Sequence, residues 1–174
     1  MTDLQNQCLL SALGYYPHRE IDGIWGPKSR AAMERFEAAH PGLTLVEALA
    51  VQSPEPEDFW QTVPCFEREE FRCHCGGAHC DGFPAEPDRV LVQLLSDIRR
   101  DLDTPMVVSS GVRCQVHNAN VGGVSNSRHL SGKAADVMAL GISGATLLRR
   151  AQSDPRTRYA YIIDKGPYVH IDVN

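Results

Sequence analysis

The sequence predicts an α+β chain in two units, a small three-helix N-terminal bundle followed by a larger domain with an antiparallel sheet and flanking helices. Three observations predict it. Apolar residues recur at helical spacing near the N-terminus and again mid-chain; a stretch rich in proline and acid separates the two parts; and two strand-like segments near the C-terminus flank Lys165-Gly166-Pro167, which reads as a hairpin. The expected division is a helical unit over 1–50, a linker over 51–63 and the mixed domain over 64–174.

Within the first unit, Leu4, Cys8, Leu9, Ala12 and Leu13 mark one face of a helix that Gly14 would stop. A second helix opens at Pro27, a residue favoured in a first turn, and runs to about His40 with Ala32, Met33, Phe36 and Ala39 inward. Residues 44–50 can add a short third helix. Between the first two lies EIDGIWGP, where Asp22-Gly23 signals a turn and Trp25 is large enough to pin the loop onto the helices. The segment VQSPEPEDFWQTVP has no clear period and serves as the linker. Beyond a cysteine-rich loop, Val90, Leu91, Leu94, Leu95 and Ile98 predict a helix over about 86–102, followed by the strand MVVSS and the pair YAYIID and YVHIDV.

A chain of 174 residues can bury a core without disulfides. No apolar run approaches the roughly 20 residues of a membrane span, and a net charge of -5 without a Lys/Arg cluster argues against a nucleic-acid partner. The start, MTDLQNQCLLSALGYY, lacks the basic, apolar and small-residue order of a secretory leader, so synthesis in the cytoplasm is expected. A monomeric state is expected as well. In that setting the cysteines read first as thiols or metal ligands.

The stretch SNSRHLSGKAADV sets His129 seven positions ahead of Asp136 among small residues. Gly132 and the serines argue for a loop at His129 that enters a strand at 133–137, with Ala134 and Asp136 on one face and room for an ion beside the small alanine. In YVHIDV, Val169, Ile171 and Val173 alternate with Tyr168, His170 and Asp172, so a neighbouring strand offers a third ligand. His129, Asp136 and His170 would leave a fourth position to water, as in catalytic zinc sites. On spacing alone, a solvated strand face and a glycine-serine loop explain the same residues.

SGVRC, HN, VGG, NSRHLSGKAAD and VHIDV, in this order, resemble the zinc D-Ala-D-Ala carboxypeptidases and L-Ala-D-Glu peptidases of bacterial and phage cell-wall enzymes, over about residues 66–174. The resemblance implies a zinc peptidase domain in which the histidine and aspartate of S-x-H-x-x-G-x-A-x-D and a later histidine, here His129, Asp136 and His170, hold the ion. It also implies that Arg113, in SGVR, holds substrate or stabilises a developing oxyanion, for which a fork of permanent donors is suited. Ser127 and Asn118 are candidates to bind substrate or fix the loop, and His117 to lie near the metal.

Amide hydrolysis also needs a group to move a proton. Many relatives place a glutamate three residues before the last histidine, where this chain has Pro167. Two substitutes exist. Asp164 lies six residues before His170, a spacing similar to that in the related hedgehog zinc domain; a three-residue loop over 165–167 would pair it with Tyr168 and turn it to the His170 face, whereas a two-residue loop would turn it away. Asp172 shares the His170 face but suits a ligand-orienting contact equally well. Asp164 is the favoured base.

CFEREEFRCHCGGAHC carries Cys65, Cys73, Cys75 and Cys80 with His74 and His79. A second, structural zinc ion at Cys73, Cys75 and Cys80, free thiols, and a disulfide all stay open. In the first unit, LQNQCLLSALGYY and IDGIWGPKSRAAMERFEAAH resemble a small peptidoglycan-binding module with a D-G-x-W/F-G loop, although Trp25 and Phe36 would suit any helical core. Together the resemblances imply a zinc-dependent peptidoglycan peptidase of the phage endolysin type, reaching the wall after release from the cytoplasm. The alternative is a non-catalytic, zinc-stabilised wall-binding module, which the departure at Pro167 keeps open.

Overall fold

The computed structural model describes residues 1–52 and 59–174, so positions 53–58 of the expected linker lie outside the described residues. The N-terminal unit comprises α1 (Asp3–Ala12), α2 (Pro27–Ala39) and α3 (Leu45–Gln52). Thr2 and Gln5 close a capping box on α1, and Pro27 sits in the first turn of α2, where a missing amide goes unnoticed. Leu4, Leu10, Ala32, Phe36, Leu45 and Ala48 form the centre of a separate small core, against which Trp25 packs half-buried. The Asp22-Gly23 turn is held by the buried Gln7, whose carbonyl oxygen accepts from the amides of Asp22 at 3.2 Å and Gly23 at 2.8 Å, while its NH2 group donates to the Asp22 carboxylate at 2.9 Å. Of the expected linker, residues 51 and 52 finish α3, and Phe59–Thr62 forms a 3-10 turn whose aromatic rings pack on the second core.

The larger part contains α4 (Arg89–Leu102), β1 (Met106–Ser110), α5 (Gln115–Asn120), β2 (Ala134–Ala139), α6 (Gly144–Gln152), β3 (Thr157–Ile162) and β4 (Val169–Val173). The four strands make one antiparallel sheet in the order β1-β2-β4-β3. Alternation decides its two faces. Ala135, Val137, Val169, Ile171 and Val173 point toward α4 and α6, where Leu91, Leu94, Leu95, Ile98, Leu147 and Ala151 complete the core; the even-numbered side chains between them face the other way. The helix expected from residue 86 starts at Arg89 because Pro87 disfavours a helix before it and Asp88 supplies the cap, accepting from the Val90 amide at 2.8 Å. The sequence reading assigned no element to α5 or α6.

Cys8 and Cys65 form a disulfide across a sequence separation of 57. This corrects two expectations: the cysteines are not all thiols or ligands, and Cys65 does not belong with the cluster that follows it. The physical reason is the path of the chain. The 63–66 segment turns back beneath α1, where buried Arg99 of α4 donates to the Cys65 carbonyl, and His18 lies 3.1 Å from the Glu70 carboxylate across the same junction.

Candidate metal centre

His129 sits on a 3-10 turn, Arg128–Ser131, that ends at Gly132 with φ 73°. A β-carbon on Gly132 would stand 2.0 Å from the Glu86 carbonyl oxygen, so both the left-handed turn and the close approach demand glycine. From there the chain enters β2, in which Asp136 lies directly across from His170 of β4. The pleat and the register thus bring together all three expected ligands. His129 Nε2 is 3.3 Å from both His170 Nδ1 and Asp136 Oδ1, and the latter two atoms are 2.8 Å apart. All three residues are buried, and His170 and Asp172 are only 8% and 2% exposed, which removes the reading of β4 as a strand with a solvated polar face.

Each ligand is oriented from behind. His129 Nδ1 donates to the Gly111 carbonyl at 2.6 Å, which leaves the Nε2 lone pair for the centre. His170 turns Nδ1 inward, and its Nε2 lies 3.5 Å from Asp172 Oδ2. Arg113 donates to Asp136 Oδ2 at 2.5 Å and to Ser110 Oγ at 2.9 Å, so the carboxylate is fixed with Oδ1 toward the imidazoles. Burial pushes the Asp136 carboxyl up, but the hydrogen bonds and charge of His129 and His170 outweigh it and hold the group well below the usual carboxylate range. Two inward imidazole nitrogens and one carboxylate oxygen, all within 4.8 Å of one another, fit the donor set and spacing of a zinc ion.

The triad forms the floor of a cavity of about 660 Å³ whose walls include Arg113, Ser127, Arg128, Arg158, Tyr161 and Asp172. Sequence reasoning missed three of these. Tyr161 pairs with His170 across β3 and β4 and stacks on it with ring centroids 4.9 Å apart. Alternation in RYAYI would have exposed it had the hairpin register been known. Arg158 holds both oxygens of Asp172, at 2.8 and 2.6 Å, from a position where the β3 register is irregular, so alternation gave no signal. Arg128 stands next to the ligand His129, in a motif read only for its serine, histidine and aspartate.

Other expected residues fall elsewhere. Asn118 is buried behind the Gly122-Gly123 loop and donates to the Val124 carbonyl at 2.9 Å; it supports the cavity wall rather than lining it. His117 likewise does not line the cavity. Asp164 is the main correction. Ile163 bonds to Tyr168 and Gly166 bonds back to Ile163, so the loop holds four residues, 164–167, with Asp164 and Lys165 at φ 48° and 57°. The pairing slips by one position from the expected three-residue loop, Tyr161 takes the place opposite His170, and Asp164 is exposed at the turn, outside the cavity walls.

A second donor cluster contains Cys73, Cys75, Cys80 and Cys114, again with one donor atom from each within 4.8 Å of all the others. The first three were expected together. Cys114 joins them in place of Cys65, because the chain after β1 runs beside the 71–73 segment, with the Val112 amide donating to the Phe71 carbonyl at 2.8 Å. The His79 amide, with those of Gly77 and Cys80, draws the Cys75 thiol down to about 6, whereas burial pushes Cys80 up to about 12.

Comparison with known proteins supplies two findings. The sequence profile of the family described as peptidase M15 matches residues 64–172. The chain is 34% identical over 143 residues to the zinc D-Ala-D-Ala carboxypeptidase of Streptomyces albus G, an alignment that covers 75% of this chain and 54% of that protein. The chain therefore spans about half the length of the curated relative it matches.

Proposed function

This chain belongs to the peptidase M15 family, and from that premise we propose that it is a zinc-dependent peptidase hydrolysing an amide bond in the stem or cross-bridge peptide of peptidoglycan. The observation that carries the reading is the open donor triad. His129, Asp136 and His170 converge on a cavity floor, and among the described residues no fourth His, Cys, Asp or Glu joins them. Three protein donors beside an open face are the catalytic pattern, and four are the structural one. Bound there, zinc would supply Lewis-acid polarisation of a carbonyl and activation of water.

The remaining work falls to the chain's own groups. Gly111 and Asp172 fix the two imidazoles, and Arg113 fixes Asp136 while presenting a permanent cation to the cavity, where negative charge develops on the scissile carbonyl oxygen. Asp172 is the cavity's carboxylate outside the triad among the described residues, so it takes the proton-accepting role in place of Asp164, which is exposed at the turn and does not line the cavity. Arg128 lines the cavity without an ion-pair partner among the described residues, which supports a substrate ending in a free carboxylate and hence the carboxypeptidase branch. The test is mass spectrometry of zinc-loaded protein incubated with purified peptidoglycan and with stem peptides ending in D-Ala-D-Ala, free or amidated. Release of D-Ala, at least about tenfold faster from the free acid, is expected; no product from any substrate with the metal bound would sink the proposal.

Two finer statements belong to the same reading. The helical unit over 1–50 serves as a wall-binding module, supported by the exposed Ile24 at the tip of the loop that Gln7 holds rigid; Ile24→Asp should then weaken retention on insoluble wall without slowing cleavage of a soluble peptide. A lytic role of the phage type, with action at the wall after release from the cytoplasm, is supported by the Cys8–Cys65 disulfide, which suits an oxidising space. One observation favours a second function, a zinc-stabilised binding module without turnover: Arg158 occupies both oxygens of Asp172. That function predicts retention on the wall with no soluble fragments.

A further inference from the structure

We propose that Cys73, Cys75, Cys80 and Cys114 form a second metal site, a closed structural zinc site of four thiolates that clamps the segment carrying Arg113. The site is built from two stretches far apart in sequence, the 73–80 loop and the turn after β1, and it is independent of whether the cavity hydrolyses anything.

The geometry comes first. Zinc–sulfur bonds of about 2.3 Å in a tetrahedron set sulfur–sulfur edges of about 3.8 Å. The four sulfurs here all lie within 4.8 Å of one another, and Cys75 Sγ and Cys80 Sγ are 3.4 Å apart without being bonded. In the same chain Cys8 and Cys65 are joined as a disulfide, so side-by-side packing without a bond is particular to these four. The arrangement is closed: no fifth donor is needed, and Cys73 and Cys114 are buried.

Backbone amides complete the case. The Cys114 amide donates to Cys73 Sγ at 3.3 Å, and the His117 amide donates to Cys114 Sγ at 3.4 Å as the cap of α5. A thiol sulfur is a weak acceptor, whereas a sulfur bearing negative charge attracts amide donors strongly. The loop turns between Cys75 and Cys80 through Gly76 and Gly77, at φ 64° and 84°, a left-handed conformation that glycine adopts freely. Thiolates crowded this closely repel, and a soft divalent cation is what such a set would hold.

The consequence for the neighbouring centre is mechanical. Cys114 follows Arg113, which holds Asp136, and Gly111, which orients His129, lies three residues before it. A metal there would tie the Cys114 end of this turn to the 73–80 loop.

The test uses the full chain and compares zinc content by elemental analysis in wild type, His129→Ala/His170→Ala and Cys75→Ser/Cys80→Ser. Two ions per chain are expected in the first and one in each of the others. In the histidine variant, cobalt replacing the remaining zinc should give thiolate-to-cobalt charge-transfer absorption and intense tetrahedral ligand-field bands. Thiol titration of wild type in denaturant with chelator should find four thiols and one disulfide, a readout that stands even if the serine variant fails to fold. A histidine variant devoid of zinc, or wild type with no titratable thiols, overturns the proposal: the first means an empty thiol cluster and the second a pair of further disulfides. Neither result bears on the open triad, whose failure would show instead as wild type carrying its zinc on the cysteines alone.

Discussion

The two donor clusters of this chain differ in every respect that matters to their chemistry. One is set on adjacent sheet strands and a glycine-locked turn, uses nitrogen and oxygen, and opens on a cavity; the other is set on loops, uses sulfur alone, and buries two of its four donor residues. A sheet gives precise placement without covering the donors, because alternation aims Asp136 and His170 away from the core that anchors their neighbours. Loops can wrap all round a centre but have little core to stiffen them. Openness thus follows from the supporting element, and with it the proposed division between a reacting and a stabilising centre.

The sharpest way to break this comparison is to remove one centre and watch the other. His170→Ala takes away a ligand and should lower peptide turnover by at least about 10³-fold, the equivalent of roughly 4 kcal/mol of lost transition-state stabilisation. The melting temperature should fall far less than in Cys75→Ser/Cys80→Ser, as followed by calorimetry. Mild chelation should repeat the contrast, abolishing turnover before it lowers Tm. If chelation melts the fold and stops turnover at the same concentration, the two centres are not divided as argued.

A smaller effect is expected one contact further out. Asp172→Asn keeps the shape but removes the charge that faces His170 Nε2 and pairs with Arg158. If it acts only by orienting His170, zinc affinity and turnover should fall together by about 10- to 100-fold. If it also takes the proton, turnover at saturating zinc should stay depressed, which a zinc titration of kcat separates from weakened binding.

How much of this was legible in the sequence depends on which physical rule decided each residue. The period-two pattern of VHIDV fixed His170 and Asp172 on one face, and the small residues around His129 marked a turn, so the triad could be named before its geometry was known. Helices α1, α2 and α4 showed their apolar faces within a single segment. Partnerships between distant segments left no such trace. Cys65 stands among cysteines in sequence yet pairs with Cys8, and Cys114 joins the cluster from beyond β1; only the path of the folded chain selects them. Arg158 reaches Asp172 from an irregular strand position, where the alternation rule fails.

The Cys8–Cys65 bond offers a test of whether the N-terminal unit matters to either centre. Closing a loop of this length is worth about 4 kcal/mol in the chain-entropy account, an upper figure if the reduced chain keeps structure. Cys8→Ser/Cys65→Ser should therefore lower the denaturation midpoint while leaving zinc content unchanged and cleavage of a soluble peptide within about twofold, since neither residue lines the cavity. A loss of turnover at full occupancy would show that α1–α3 shape the reacting centre.

The smallest effect is also the most instructive. Sequence spacing favours Asp164 as the base, and only the hairpin register denies it: with Ile163 opposite Tyr168, the carboxylate stands at the tip of a turn, exposed, while Tyr161 occupies the position across from His170. Asp164→Ala alters a residue with φ 48°, so a modest loss of stability, on the order of 1 kcal/mol, is expected from the left-handed backbone. Turnover of soluble peptide should stay within about twofold of wild type, because a surface carboxylate outside the cavity contributes nothing to proton transfer there. Asp164→Gly separates the two effects, since glycine relieves the backbone while still removing the charge. A loss of 10²-fold or more in both variants, with zinc retained, would mean that the hairpin shifts by one position when substrate binds, exchanging Tyr161 for Ile162 opposite His170 and turning Asp164 toward the metal. In that event the register of the last two strands, rather than the chemistry of any single side chain, would be what sets this centre to work.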